Sequence, residues 1–600
     1  MFAFALDEAT FGSMTRRERW STALMLVSGA MCWWSDEVSA QLAFSNATIG
    51  SGLESFIHSP NFLAAPASVE WTMGGFGIAD FNNDGWPDIF LPRGGVGTDR
   101  LYLNNGNGTF SNVASSWAVA SAHAGNGVSC ADFDRDGDVD IYMTSYGTGA
   151  NNLGQPGRHR LYRNDGASFT DVASAVGLAY TAPQDAVGDG AAWGDIDLDG
   201  DLDLVVAGWS ASGVGNRLFR SDRDPKRDDV GTFTDVTGSA INMNQSWGFQ
   251  PTVVDLTGDG FPEVLLAADF LSSRAYRNMR DGNFVLATAE FGTGVDDNGM
   301  GSCIGDFDRN GAPDWYVTSI HMDMPNPAMH NGNTLYLNAG DGVCSEVAAT
   351  HGCADGGWGW GAVAADFDGD RWEDIVEVNG RNTAEWANES EYIYRNTGDG
   401  NFLRTAAETG FALAADSRAV GTFDYDRDGD LDLLVLVNAG PVALFRNDSA
   451  QTSWLELDLV AAADSRCAPH GLGAIVECRT GATTQRRWVH SGSGYHSSSE
   501  PLVHFGLAEA AAIDRITVRW PSGQSTQLLA VTPNQRITIH APLAEDLDAD
   551  DSVNTSDVLL LLAQWDARDR ADRNMRRADI NSDGIVNAHD LTRLLAAWTR

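Results

Sequence analysis

Three observations predict a mainly β chain: a seven-bladed β-propeller, then a small all-β domain, then a small α-helical domain. An aspartate-rich loop recurs seven times between Asp80 and Asp432. Short apolar runs separated by turn-forming residues follow each loop. Beyond about Trp454 the repeat stops, and two further acidic loops appear after Glu545, each leading into an apolar run of helical period.

The clearest copy of the loop is ADFDRDGDVDIYM, Ala131 to Met143. Aspartates so close repel one another, and a hard cation relieves that repulsion. Oxygen donors at alternate positions with a glycine at the sixth follow the ligand logic of a calcium loop. Asp132, Asp134 and Asp136 supply side-chain oxygens, Gly137 the turn, Asp138 a main-chain carbonyl, and Asp140 closes the shell. The same positions hold Asp80, Asn82, Asp84 and Asp88 in the first copy, and Asp195, Asp197, Asp199 and Asp203 in the third. The fourth has Asp255, Asp259 and Glu263, with Thr257 in place of a carboxylate, and the fifth has Asp306, Asp308, Asn310 and Asp314. The sixth has Asp366, Asp368, Asp370 and Asp374, with Arg371 replacing the glycine, and the seventh has Asp424, Asp426, Asp428 and Asp432. Their starts are 52, 63, 60, 51, 60 and 58 residues apart, a period that marks a repeat architecture.

Each unit offers four strands. A small-residue and aromatic segment enters the loop, as in WGWGAVAAD, and an apolar run such as DIYMT or DLLVLV leaves it. Then come a run such as LYRNDG, whose Asn, Asp and Gly favour turns, and a Phe-led run such as FTDVAS. Radially repeated four-stranded sheets make a propeller. The phase of the repeat predicts its closure. The first unit has a Phe-led strand at Phe44 with no LYxN strand before it, and the last ends at Leu444 to Asp448 with no Phe-led strand after it. The strand near Phe44 is expected to complete the sheet begun near Arg446.

These loops resemble FG-GAP/VCBS repeats, the calcium-loop repeats of integrin-like propellers, over roughly residues 43 to 450. The resemblance implies seven blades with cations in their loops, and Thr257 and Arg371 set the fourth and sixth loops apart from the pattern.

Composition narrows the function. The formal net charge is −43, and the seven loops contain 29 of the 82 acidic residues, so much of this charge is ligand charge. Such a chain lacks the basic footprint that nucleic acid needs. Near the start, TRRERW (Thr15 to Trp20), the short apolar stretch Ser21 to Trp34 and the small residues Val38 to Ala40 read as a secretory signal, with Met14 as an alternative start. No other long apolar segment occurs, so export without a membrane span is expected. Of the six cysteines after the signal, Cys344 and Cys353, and Cys467 and Cys478, are near enough in sequence to pair; Cys130 and Cys303 read as buried thiols.

The stretches HGLGAIVEC, GSGYHSSSEPLVHFGL and ITVRWPSGQ, within Trp454 to His540, resemble the ASPIC/UnbV domain. Its His470, His490, His496 and His504 match no zinc spacing and read as structural histidines. In the tail, Asp546, Asp548, Asp550, Asn554 and Asp557 occupy positions 1, 3, 5, 9 and 12 of one loop, and Asp579, Asn581, Asp583, Asn587 and Asp590 those of a second. This is EF-hand-like ligand spacing with Asp at the twelfth position, and Asp551 replaces the sixth-position glycine in the first loop. Duplicated loop–helix units ending in LLLLAQW and RLLAAW resemble a type I dockerin. That resemblance implies a cohesin-like partner for residues 545–600, contacted through Thr555 and Ser556 and through Ala588 and His589.

The expected organisation is a signal at 1–40, a propeller at 41–450, an ASPIC/UnbV domain at 451–541 and a dockerin-like domain at 542–600. The leading functional expectation is a secreted or cell-surface, Ca2+-binding, non-catalytic recognition protein whose propeller binds an extracellular glycan or protein. The alternative is a polysaccharide-degrading enzyme. It would draw on His321 and Asp323, or on Glu385, Glu389 and Glu391, in two long inter-strand insertions. No GxSxG, HExxH or phosphate-cradling motif is present.

Overall fold

The computed structural model describes residues 42–60, 69–146, 158–181, 188–210, 213, 215–223, 231–322, 331–381, 386–387, 389–405, 407–462, 465–550, 552–570, 572–581 and 583–598. The expected export signal, Asp323, Glu385 and Asp551 lie outside them.

The fold is mainly β and propeller-like, with few helices. Among the described residues, seven four-stranded antiparallel sheets lie between Phe44 and Asn447. The second is representative: Gly125–Ala131, Asp140–Ser145, Arg160–Asn164 and Phe169–Asp171, in that order. The inner strand is rich in small residues, which lets neighbouring sheets approach. The next is buried along its whole length, as its unbroken apolar run requires. In the third, Leu161, Tyr162 and Asn164 are buried and the two arginines half-buried, and in the fourth only the leading Phe is buried.

The ring closes as the phase predicts. Phe44–Asn46 pairs antiparallel with Val442–Asn447, with Phe44 opposite Asn447, and becomes the outer strand of the last sheet. Phe411 packs between Phe44 and Phe445, with ring centroids 5.8 and 4.9 Å away.

A repeated asparagine joins neighbouring sheets. The Asn104 side-chain amide donates to the Tyr425 carbonyl at 2.9 Å, across the closure. Asn164 donates to Phe81, Asn278 to Ile196, Asn338 to Leu256, Asn396 to Phe307 and Asn447 to Phe367, at 2.7–2.9 Å. Each acceptor is the second residue of an acidic loop. The third sheet has Ser221 at this position, whose hydroxyl accepts from Arg223 N–H at 3.4 Å.

Residues 454–540 form two small sheets. One orders Val503–Gly506, Trp454–Val460 and Gln535–His540, and the other orders Thr483–Trp488, Ile475–Thr480, Ile513–Arg519 and Ser525–Val531. Between them, His490 to Glu500 leaves this domain and threads the centre of the ring. It bonds to the inner strand of every sheet: Phe76 and Ile78, Val128, Trp193, Thr252, Ser302, Ala362 and Thr422. Inner strands leave unpaired polar backbone that must find partners when buried. The Ser- and Gly-rich composition of this segment supplies them at close range. A Cβ on Gly75 would come within 2.0 Å of the His496 carbonyl oxygen.

The tail packs Leu547, Leu561, Ile580, Val586 and Leu594 between helices Thr555–Ala563 and Ala588–Ala597. A third helix, Arg573–Ala578, lies between the two expected ones. The tail is not held off on a linker. Arg570 donates to the Asp197 carbonyl at 2.6 Å and Arg576 to the Asp259 carbonyl at 3.2 Å, so it rests against the third and fourth loops. The six described cysteines are free thiols; Cys344 and Cys353 belong to different apolar clusters, and Cys467 and Cys478 share one.

Two outcomes test this architecture. Deleting residues 42–59 is expected to lower the melting temperature, because the last sheet loses its outer strand; an unchanged melting curve contradicts the closure. Asn338→Ala is expected to cost about 1–3 kcal/mol by stranding a buried carbonyl, whereas Asn105→Ala, in an exposed turn, leaves chemical denaturation unchanged.

Candidate metal sites

All seven propeller loops adopt one conformation, set by their own carboxylates. The first-position Asp accepts from the main-chain N–H groups ahead of it. In the second loop, Asp136 N–H and Gly137 N–H both donate to Asp132 at 3.1 Å. The fifth-position residue accepts from the seventh, as Asp136 does from Asp138 N–H at 2.9 Å. The ninth-position carboxylate spans two strands: Asp140 accepts from Phe133 N–H at 2.9 Å and Asn164 N–H at 2.8 Å. The fourth position is left-handed in every loop, at Asn83, Arg135, Leu198, Gly258, Arg309, Gly369 and Arg427.

This geometry gathers ligand oxygens. Carboxylate oxygens lie within 4.8 Å of one another in Asp132, Asp134 and Asp136; in Asp195, Asp197 and Asp199; in Asp306, Asp308 and Asp314; in Asp366, Asp368 and Asp374; and in Asp424, Asp426 and Asp432. Burial pushes the carboxyls of Asp140, Asp203 and Asp432 well above the usual range, and neighbouring aspartates push further. Asp88 rises to about 8 and Asp132 to about 7, also mainly through burial. Two unit charges 4 Å apart repel by about 1 kcal/mol in bulk water and roughly 4 at an effective dielectric of about 20. A divalent cation removes that penalty.

The third position shows where a cation fits. Asp134, Asp197 and Asp426 each hold a buried Oδ1 without a hydrogen-bond partner among the described residues, and so does the Thr257 hydroxyl. Buried polar atoms are rarely left without a partner, and an ion is one way to satisfy them. The sixth loop differs. There Arg395 Nε lies 2.5 Å from Asp368 and Nη2 2.8 Å from Asp370, so a guanidinium neutralises two candidate ligands. The equivalent Arg163 and Arg446 are drawn away by Asp165 and Asp448 two residues on, where the sixth unit has Thr397. In the fourth loop Arg280 donates to Asp259 at 2.9 Å.

The loops also touch one another and the C-terminal domains. Arg427 reaches the Gly85 carbonyl at 2.7 Å, Asn83 the Gly137 carbonyl at 3.4 Å, and Arg135 the Gly200 carbonyl at 3.0 Å. Arg135 also donates to the carbonyls of Ala462, Ser465 and Cys467. His504 Nε2 lies 3.1 Å from the Gly429 carbonyl oxygen. His496 is buried between Tyr495 and Asp189 in the central segment, and burial lowers it well below the usual histidine range. His470, His490 and His504 line a cavity of about 160 Å³ between the second domain and the ring.

The tail loops repeat the same logic. Asp583 N–H and Gly584 N–H donate to Asp579 at 3.1 and 2.8 Å. Asp590 receives Asn581 N–H and Asn587 N–H. Asp550 N–H donates to Asp546, while Asp557 receives Leu547, Asp548 and Asn554 N–H. Asn554 and Asn587 cap the helices that follow.

Of the enzyme candidates, His321 and Glu389 come near one another through Asp355, which pairs with His321 and, after burial, helps push the Glu389 carboxyl up to about 7. Glu391 is buried and accepts from Leu413 N–H, Ala414 N–H and Ser417 Oγ. Glu389 accepts from Trp358 N–H at 2.9 Å, and His321 pairs with Asp355 at 3.1 Å.

Comparisons with known proteins follow these divisions. The FG-GAP-like repeat family matches residues 80–143, 255–317, 327–377 and 384–435; ASPIC and UnbV matches 464–546; the dockerin type I domain matches 544–597. Cartilage acidic protein 1 of Homo sapiens is 24% identical over 517 residues, covering 81% of this chain and 74% of that protein. The Mus musculus protein of the same name is also 24% identical, covering 81% and 76%. Among solved structures, rhamnogalacturonan lyase YesW is 14% identical with a TM-score of 0.36, covering 66% of this chain and 75% of that one. BBS1N in complex with ARL6DN is 10% identical with a TM-score of 0.37, covering 66% and 97%. Neither of these two likenesses bears on what this chain does. The chain carries FG-GAP-like repeats, an ASPIC and UnbV segment and a dockerin type I domain, in that order.

Proposed function

We propose that this is an extracellular, calcium-binding recognition protein, with a seven-bladed propeller at 41–450, an ASPIC/UnbV domain at 451–541 and a dockerin-like domain at 542–600. The propeller binds an extracellular ligand, and the tail docks the whole to a cohesin-type partner. The observation that carries the reading is the repeated cage of carboxylates with an orphaned buried oxygen at its third position. FG-GAP-like repeats and dockerin type I domains are typically calcium-binding, which fits such cages. Calcium would sit on the loop oxygens named above, neutralise them and so join the energetics of folding.

Docking is supported by what the tail leaves exposed. Thr555, Ser556, Ala588 and His589 face solvent. So do large apolar groups at matching places in the two units: Leu562 and Leu595, at 47% and 52%, and Trp565 and Trp598, at 41% and 38%. Exposed apolar groups of this size mark interaction sites. Among the described residues, no helix is long and apolar enough to cross a membrane.

Chelation is expected to lower the melting temperature of the full chain, with half-saturation on the order of 10⁻⁴ to 10⁻³ M calcium. Asp132→Ala should weaken calcium binding, measured by calorimetry, more than Asp255→Ala. Arg395→Gln should add a site by freeing Asp368 and Asp370; unchanged stoichiometry contradicts the guanidinium's role. For docking, cohesin capture should require calcium and fall at least about tenfold in Trp598→Ala. Capture that persists in chelator contradicts the proposed mode.

A further inference from the structure

At the strand ends opposite the acidic loops, connections from several sheets surround the other mouth of the ring. Trp209, Trp247 and Phe270 stand together there, with ring centroids 6.3 Å (Trp209–Phe270) and 5.8 Å (Trp247–Phe270) apart. Facing them, the Arg381 guanidinium lies 4.1 Å from the Trp358 ring centre and 5.6 Å from that of Trp71. Trp386 meets Trp358 edge-on at 4.7 Å. The indoles are partly buried, and Phe270 is 56% exposed. Beneath them Tyr495, at the tip of the threading segment, packs on Trp360 and donates to the Thr72 carbonyl at 2.9 Å.

The carboxylates here already have partners. Asp269 accepts from the Trp209 indole N–H at 3.2 Å and Phe270 N–H at 3.0 Å, Asp416 pairs with Arg418 at 2.8 Å, and Glu389 accepts from Trp358 N–H. Arg381 differs: among the described residues its guanidinium lies between indole faces with no hydrogen-bond acceptor within reach, and Asp416 and Asp269 act on it only through space. The Trp358 indole N–H is likewise without a hydrogen-bond partner among the described residues. A guanidinium held between aromatic faces is a fork-shaped receptor for a carboxylate. Indole faces pack against the C–H faces of a sugar ring, while polar groups at the rim meet its hydroxyls.

We infer that this mouth binds an acidic polysaccharide, with a uronate ring against the indoles and its carboxylate on Arg381. The inference rests on the recognition reading above and names its ligand class and its place. A peptide rich in glutamate would offer carboxylates without the ring, and it serves as the competing probe.

The test uses the full chain in calcium, with tryptophan fluorescence and calorimetry. Alginate oligosaccharides are expected to bind, and neutral cello-oligosaccharides and polyglutamate to bind at least about tenfold more weakly. Arg381→Gln and Trp386→Ala should each weaken alginate binding about tenfold or more, with melting temperatures unchanged. Arg381→Lys, which keeps the charge and loses the fork, should recover only part of it. No alginate binding, equal binding of either control, or binding untouched by both Arg381→Gln and Trp386→Ala overturns the site. Calcium binding and cohesin capture are measured on the same protein. If they survive while alginate binding fails, only the ligand class and place fall; if they fail, the recognition reading falls with them.

Discussion

The structure depends on one repeated arrangement: a buried carboxylate at the ninth loop position, held by two main-chain N–H groups, beside an asparagine that reaches the neighbouring sheet. Asp88, Asp140, Glu263, Asp314, Asp374 and Asp432 all occupy it, opposite Asn104, Asn164, Asn278, Asn338, Asn396 and Asn447. The carboxylate fixes the loop to the third strand of its own sheet, and the asparagine amide fixes that strand to the loop before it. Loop geometry, and hence the ligand cage, is therefore tied to the packing of one sheet on the next. The geometry of the cage and closure of the ring are one problem rather than two.

The same arrangement creates a charge problem and a way to use it. Carboxylates concentrated on one face of the ring repel, and the chain answers in two ways. Four of the seven loops keep a buried third-position oxygen without a hydrogen-bond partner among the described residues, which suits a cation. The sixth loop turns Arg395 onto its own aspartates. Arginines from beyond the ring then use the carbonyls that these loops present, through Arg570 and Arg576 in the tail. The loop face is thus the seat of the C-terminal domains.

Much of this was legible in the sequence. The loop spacing gave the number of repeats, and the unmatched strands at Phe44 and Leu444 gave the closure, because both are local patterns with a fixed period. Partners far apart in the chain were not legible. Asn104 and its kin read as turn formers, and their bonds to carbonyls 80 or more residues away require the assembled ring. The segment GSGYHSSSEP has no period, and its role appears only when the inner strands present their edges to it. The tryptophans of the opposite mouth are scattered from Trp71 to Trp386, so nothing local joins them. Arg395 could have been suspected, since Thr397 stands where the second, third and seventh units place an aspartate.

The central claim is that the loop cages hold calcium and that the sixth is closed to it by Arg395. The most direct measurement is a crystal structure grown in calcium, with anomalous difference maps. The account predicts peaks among the oxygens of Asp132, Asp134 and Asp136, of Asp195, Asp197 and Asp199, and of Asp424, Asp426 and Asp432, with none between Asp368 and Asp370. Maps without peaks at the first three, or with an equal peak in the sixth loop, would contradict it.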